Sequence, residues 1–220
     1  MSFDPKLQDL PAEFAVFPLT GALLLPRGKL PLNIFEPRYL AMVEDSLGAG
    51  RMFGMIQPDP TAPTGDTGPG LYRVGCLGRL SAFSETEDGR FLITLTGLAR
   101  FLVGAEVAMV RGYRRVRGDF SGFEQDLEMK THPIGVDREL LLKALKNYFA
   151  RRNFEANWEA IRNMPDETLV TTLSMVCPFE PAEKQALLEA STDEGRAGTL
   201  LALLQMGAAD LGLPPGHIAS

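Results

Sequence analysis

The stretch FPLTGALLLPRGKLPLNIFEPRYLAMV, Phe17 to Val43, opens as a Leu- and Pro-rich run and breaks into a charged, helix-ready segment. AVFPL and GALLLP read as a first strand pair, bounded by Gly and Pro. Pro37 suits a first helical turn, where no amide partner is needed. Tyr39, Met42, Val43 and Leu47 follow at helical spacing until Gly48 and Gly50 end the helix. Leu32, Ile34 and Phe35 are large and apolar, which predicts core packing at this strand-to-helix corner. Glu36 precedes the helix, where its charge favours the positive end of the dipole, and Arg38 stands beside it. If buried and paired, these two organise the corner; an exposed pair in a cleft supports a ligand or client site.

Outward from this corner, residues 14 to 120 carry mostly strand signals, short apolar runs punctuated by Gly and Pro. Phe91, Ile93 and Leu95 alternate with Leu92, Thr94 and Thr96 after the turn ETEDG, the period of a strand with one face in the core. YRVGCLGRLSAF before that turn is its expected hairpin partner. QPDPTAPTGDTGPG, Gln57 to Gly70, has no apolar periodicity and reads as a long surface loop, an insertion or a functional segment. SGFEQDLEMKTHPIG reads as an exit strand followed by a linker.

Helices follow. Leu141, Leu145 and Phe149 mark one from about Val136 to Arg152, and Trp158 and Ile161 mark a shorter one. Leu169, Leu173 and Val176 mark a third that stops before Pro178. Pro181 opens a fourth carrying Ala186, Leu187 and Leu188, and Leu200, Leu203 and Leu204 sit on a fifth. The expected organisation is a β-rich domain over 1–120, a linker over 121–135, a helical bundle over 136–212 and a tail over 213–220. No fixed-period repeat is present, which disfavours a solenoid.

Composition narrows the function. At 220 residues with 45% hydrophobic residues, the chain can bury a proper core, and its net charge of -6 lacks the basic excess that drives phosphate binding. Cys76 and Cys177 have no CxxC or paired-His spacing and read as buried small apolar residues. The N-terminus lacks an export signal and no window matches a membrane span, so a reducing, cytoplasmic setting is expected. His132 and His217 sit in no framework for a triad or metal, and neither a metal nor a cofactor is expected. GALLLPRGKL approaches a phosphate loop but has Leu23 where Gly is required and Leu30 where a hydroxyl is required. The Arg117-Gly118-Asp119 triplet is a chance match to an adhesion tripeptide. Glu85, Glu87 and Asp88 fit a solvated turn, and a hydrolase would need clustered carboxylates or a Ser with a base in a barrel–bundle crevice.

One basic cluster stands out: Arg111, Arg114, Arg115 and Arg117 around Tyr113, the one place able to grip an RNA backbone. Strand alternation sends some of these arginines to opposite faces, and pairing with the abundant carboxylates is the competing expectation.

The run from FPL through the PLNIFEPRY segment and its helix resembles the N-terminal domain of the ATP-dependent protease Lon, the PUA-like LON substrate-binding domain. MFGMIQ, LYRVGCLGRL and DGRFLITLTGLARF are similar to that domain's later strands, in order, and PAEKQALLEASTDEGRAGTLLALL is similar to the helices after its barrel. The resemblance implies an α+β chain: a PUA-like β-barrel with one inserted helix, followed by an α-helical bundle. The chain has neither the phosphate loop nor the Ser-Lys protease module of Lon. It is therefore expected to be no enzyme but a protein- or peptide-binding module for exposed apolar segments of unfolded or misfolded clients. A protease or chaperone partner and homodimerisation through a sheet edge are further expectations. Candidate client-binding or corner residues are Leu32, Phe35, Glu36, Arg38 and Tyr39. Methionines such as Met52, Met55 and Met109 suit adaptable contacts, though core filling is the commoner role. RNA binding through Arg111 to Arg117 is the alternative, supported by fold analogy with PUA domains.

Overall fold

Five strands close on one another because one of them is long enough to serve two edges. The structure is a computed structural model that describes residues 5–128 and 135–209. β1 (Glu13–Pro18) and β2 (Lys29–Ile34) precede the helix α1 (Pro37–Gly48); β3 (Met52–Ile56), β4 (Val74–Glu85), β5 (Phe91–Val110) and β6 (Tyr113–Asp119) follow it. The sheet order is β2-β5-β4-β3-β1-β6, and β5 also pairs with β6, so β5, β4, β3, β1 and β6 form a closed ring. β1 and β3 run parallel and the other pairs antiparallel. The first part of β5, Phe91 to Thr96, pairs with β2, and its later part, from Leu102, pairs with β6. β2 thus lies outside the ring as a terminal strand.

The β4–β5 hairpin and α1 lie where the sequence places them. Phe91, Ile93 and Leu95 are buried, and so are Tyr39, Met42 and Val43. The expected first strand pair is corrected: β1 pairs with β3 and β6, while residues 21–26 form no strand. The reason is burial without alternation. Leu23, Leu24 and Leu25 are all within the core, which a strand with one solvated face cannot achieve. The segment instead crosses the sheet against Gly97, where Arg27 N–H donates to the Gly97 carbonyl and Gly97 N–H donates to Gly28. A Cβ at Gly97 would lie 2.0 Å from the Leu25 carbonyl oxygen, so only glycine admits the crossing.

The expected exit strand in 121–135 is likewise corrected. β6 ends at Asp119 and a 3-10 turn covers Glu124–Leu127, because Asp126 turns inward to Arg100. His132 and residues 129–134 lie outside the described residues, as do His217 and the expected tail.

The helices are α2 (Arg138–Arg152), α3 (Trp158–Asn163), α4 (Asp166–Val176), α5 (Pro181–Glu189) and α6 (Asp193–Ala209). Asp137 caps α2 by accepting from Leu140 N–H, and Asn153 ends it in the left-handed region at φ 54°. One apolar core runs from barrel residues such as Phe53 and Cys76 to helical residues such as Leu145, Leu187 and Leu204. A polar seam crosses the same junction. Gln57 Nε2 donates to Pro181 O and Gln185 Oε1, Gln185 Nε2 to Val74 O, and Lys184 Nζ to Gly21 O. Burial pushes the thiols of Cys76 and Cys177 up, the latter to about 12, which disfavours the reactive thiolate at either position.

Candidate functional site

The IFEPRY corner divides its residues between two surroundings. Ile34 and Tyr39 are buried and Leu32 is partly buried against the core. Phe35 is 63% exposed, which corrects the expectation of core packing: it follows the last residue of β2, and the turn into α1 leaves it outside. Glu36 and Arg38 are paired, Arg38 Nη2 to Glu36 Oε2 at 2.8 Å, and both are about half exposed, so the pair does not organise a buried corner. The Arg38 guanidinium stacks 4.5 Å from the Tyr39 ring centroid. Burial raises the Tyr39 phenol above its usual value against the opposing charge of Arg38.

Arg38 and Tyr39 line a small cleft together with Tyr113 and Arg114 of β6 and Thr67 and Pro69 of the 57–70 loop. The loop is folded, with Gly65 and Gly68 bridging one another and Pro58 bridging Leu71. The basic cluster is spent on carboxylates. Arg114 is buried and grips Glu106 through both Nε and Nη2, while its Nη1 donates to Pro69 O. Arg111, at φ 47° in the β5–β6 turn, pairs with Glu44 and Asp45 of α1. Arg115 and Arg117 both reach Glu13, at 3.6 and 2.7 Å. Tyr113 Oη donates to Asp45 Oδ2; burial and that neighbour push the phenol up to about 12. The hydrogen bond from Tyr113, with Arg111 adding to it, holds the Asp45 carboxyl below its usual range. A cluster neutralised in this way does not favour a nucleic-acid backbone.

Apolar surface is uncovered elsewhere, on the part of the sheet that lies outside the ring. A depression of about 530 Å³ runs over Pro31, Leu32 and Asn33 of β2, Leu92 of β5 and Ala82 and Phe83 of β4. Leu92 is 47% exposed and stands opposite both Asn33 and Ser84, at an outward position of a strand whose alternate residues are buried. Phe83, 43% exposed, stands opposite Ile93 and stacks edge-on at 5.0 Å against Phe91, so its side chain lies on the other face of the sheet from Leu92, in the half of β4 that projects past the core. Of the sequence candidates, Leu32 lines this trough and Phe35 follows the end of β2; Glu36, Arg38 and Tyr39 belong to the corner and the cleft. Leu92 and Phe83 were not singled out from the sequence. For Leu92 the signal was present: a large aliphatic residue at the outward phase of an otherwise well-alternating strand.

A second depression, of about 520 Å³, lies between the start of β2 and α4. Thr168, Thr171, Thr172, Met175 and Val176 form one stripe of α4 facing Arg27, Gly28 and Lys29. Val176, expected to mark the helix by its apolarity, is on α4 but 65% exposed. Arg27 is held by Glu167 at 2.7 Å and by Asp193 at 3.8 Å. Among the described residues no group of three or more His, Cys, Asp or Glu side chains could hold a metal ion, and no helix is long and apolar enough to cross a membrane.

Comparison with known proteins places this architecture. The chain is similar to Lon protease 2 of Myxococcus xanthus, 25% identical over 186 residues, covering 84% of this chain and 21% of that protein. It is 31% identical over 122 residues to Lon protease 2 of Sorangium cellulosum, covering 52% of this chain and 15% of that protein. The chain thus spans about a fifth of the length of these curated relatives, or less. Among solved structures, the Lon N-terminal domain protein from Xanthomonas campestris matches with a TM-score of 0.61 at 21% identity, covering 86% of this chain and 97% of that one. The N-terminal domain of a Mycobacterium avium complex Lon protease matches with a TM-score of 0.57 at 16% identity, covering 90% and 98%. These two likenesses establish the α+β fold of a Lon N-terminal domain. Residues 13–206 match the substrate-binding domain of the ATP-dependent protease La (LON), and the chain belongs to that family.

Proposed function

We propose that this protein is a non-catalytic client-recognition module that binds exposed apolar segments of unfolded proteins on the trough over β2, β5 and β4. The observation that carries the reading is the position of Leu92, a large apolar side chain uncovered on the outward face of a sheet whose opposite face is core, with Pro31, Ala82 and Thr94 around it. Membership of a substrate-binding family supports protein segments as the ligand class.

The energetics suit capture and release. Fully burying a Leu side chain is worth about 1.5–3 kcal/mol, and Leu92, already about half covered, offers less than that. Association costs about 4–15 kcal/mol. Apolar anchors alone therefore hold a client weakly, and no pocket reads one sequence, as a surface serving many clients requires.

The reading is tested by titrating the protein into fluorescently labelled lactalbumin, reduced and carboxymethylated so that it cannot fold, beside the native disulfide-bonded form. Binding to the unfolded form alone is expected. Failure to bind it, or equal binding to the native form, overturns the reading.

A further inference from the structure

Resting on the client-binding reading, we infer that the bound segment is an extended polypeptide laid along the free edge of β2, crossing from the trough beside Leu92 to the groove beside α4. β2 pairs with β5 on one side, and among the described residues no strand pairs with its other side. The two depressions share this strand as their common wall: Arg27, Gly28 and Lys29 line the groove, and Pro31, Leu32 and Asn33 line the trough. At about 3.3 Å per residue, the six residues of β2, Lys29 to Ile34, span roughly 17 Å from first to last, which a client of about six extended residues matches. An edge strand offers main-chain acceptors and, except at Pro31, donors, which another extended chain satisfies. Those bonds supply what the apolar anchors lack.

Charge narrows the occupant. The trough has no ionisable lining residue, while the groove has Arg27 and Lys29 against Glu167, an excess of one cation in a chain of net charge -6. Arg27 is occupied by Glu167 and Asp193; Lys29 has no ion-pair partner among the described residues. The client is therefore an apolar-alternating segment with an acidic residue that reaches Lys29. A second copy of β2 fits poorly, since antiparallel pairing centred on Pro31 opposes two residues that lack an N–H.

The probe is an acetylated eight-residue peptide in which Leu and Thr alternate after an N-terminal Asp, with two derivatives N-methylated at one or the other alternate set of amides. Fluorescence anisotropy is read on the wild type and on Leu92→Asp, Val176→Asp and Lys29→Glu, whose sites are exposed or partly exposed at the surface, with melting temperature as the folding control. N-methylation of one set is expected to weaken binding at least tenfold while the other set is tolerated. Val176→Asp and Leu92→Asp are each expected to weaken it at least tenfold, and Lys29→Glu to switch preference toward a peptide beginning with Lys. Indifference to both methylated sets, or wild-type affinity in Val176→Asp, overturns the edge-strand inference. If unfolded lactalbumin still binds in that case, the client-binding reading survives; if neither probe binds, both fail.

Discussion

Arg100 and Asp126 form a forked ion pair inside the protein, Nε to Oδ2 and Nη2 to Oδ1 both at 2.8 Å, with the Arg100 side chain only 2% exposed. Asp126 also accepts from the Arg100 main-chain N–H, and Arg100 Nη1 donates to Ala190 O at 2.6 Å after α5. One side chain thus ties β5, the 3-10 turn after the barrel and the helical segment together. Replacing Asp126 by Ala leaves a buried guanidinium without its counter-charge, which costs about 3–5 kcal/mol. Equilibrium urea unfolding measures it, and a loss under 1 kcal/mol contradicts this account of the junction.

The Glu36–Arg38 pair is the opposite case. Both side chains are about half in water, so Glu36→Gln changes stability by no more than about 1 kcal/mol. The same urea experiment checks it.

Gly97 and Gly198 separate steric need from chance. Ala at 97 drives a methyl into the Leu25 carbonyl and is expected to cost at least about 1–3 kcal/mol. At Gly198, inside α6, a Cβ meets nothing within 4 Å, and Ala there stabilises by roughly 0.5–1 kcal/mol. Thermal unfolding of the two variants should move in opposite directions.

Glu106 gives a pH signature. Burial works to raise its pKa, but the hydrogen bonds from Arg114 and Thr67 outweigh it and hold the carboxyl below its usual value. A depressed folded-state pKa adds stability that is full above the unfolded value, about 4.3, and is lost as pH falls through the folded value. The Glu106→Gln variant should therefore lose less stability than wild type when unfolding is followed downward from about pH 5 through that window. Parallel curves contradict the assignment.

The arginines of β6 and its turn predict a negative result. With Arg111, Arg114, Arg115 and Arg117 each on a carboxylate, titration with a structured RNA at roughly 50 and 200 mM salt should show no tight, steeply salt-dependent binding. Binding that falls a thousandfold between those conditions reverses it.

Much of the fold was legible where local pattern and tertiary demand agree. Strand alternation at Phe91 to Thr96 and the Pro37 start of α1 each have a local cause, and both elements lie as expected. Leu23 to Leu25 misled because a continuous apolar run is compatible with a strand and with a buried crossing, and what distinguishes them is the missing side chain at Gly97, whose place the Leu25 carbonyl occupies. Arg100 and Asp126, 26 residues apart, meet through barrel closure, which no local spacing encodes. For the candidate site, apolarity pointed to Leu32 and Phe35 but could not assign Phe35 to solvent. Leu92 stands at the outward phase of its strand in the sequence, but only the flanking β2 and β4 make that position part of a trough.

The central claim is that the trough beside Leu92 captures unfolded clients. Its most direct measurement is the affinity of a double variant, Leu92→Asp with Ala82→Asp, both exposed on the trough face, for reduced, carboxymethylated lactalbumin, alongside its melting temperature. The account predicts binding at least tenfold weaker than wild type with little change in melting; wild-type affinity in a folded double variant contradicts it.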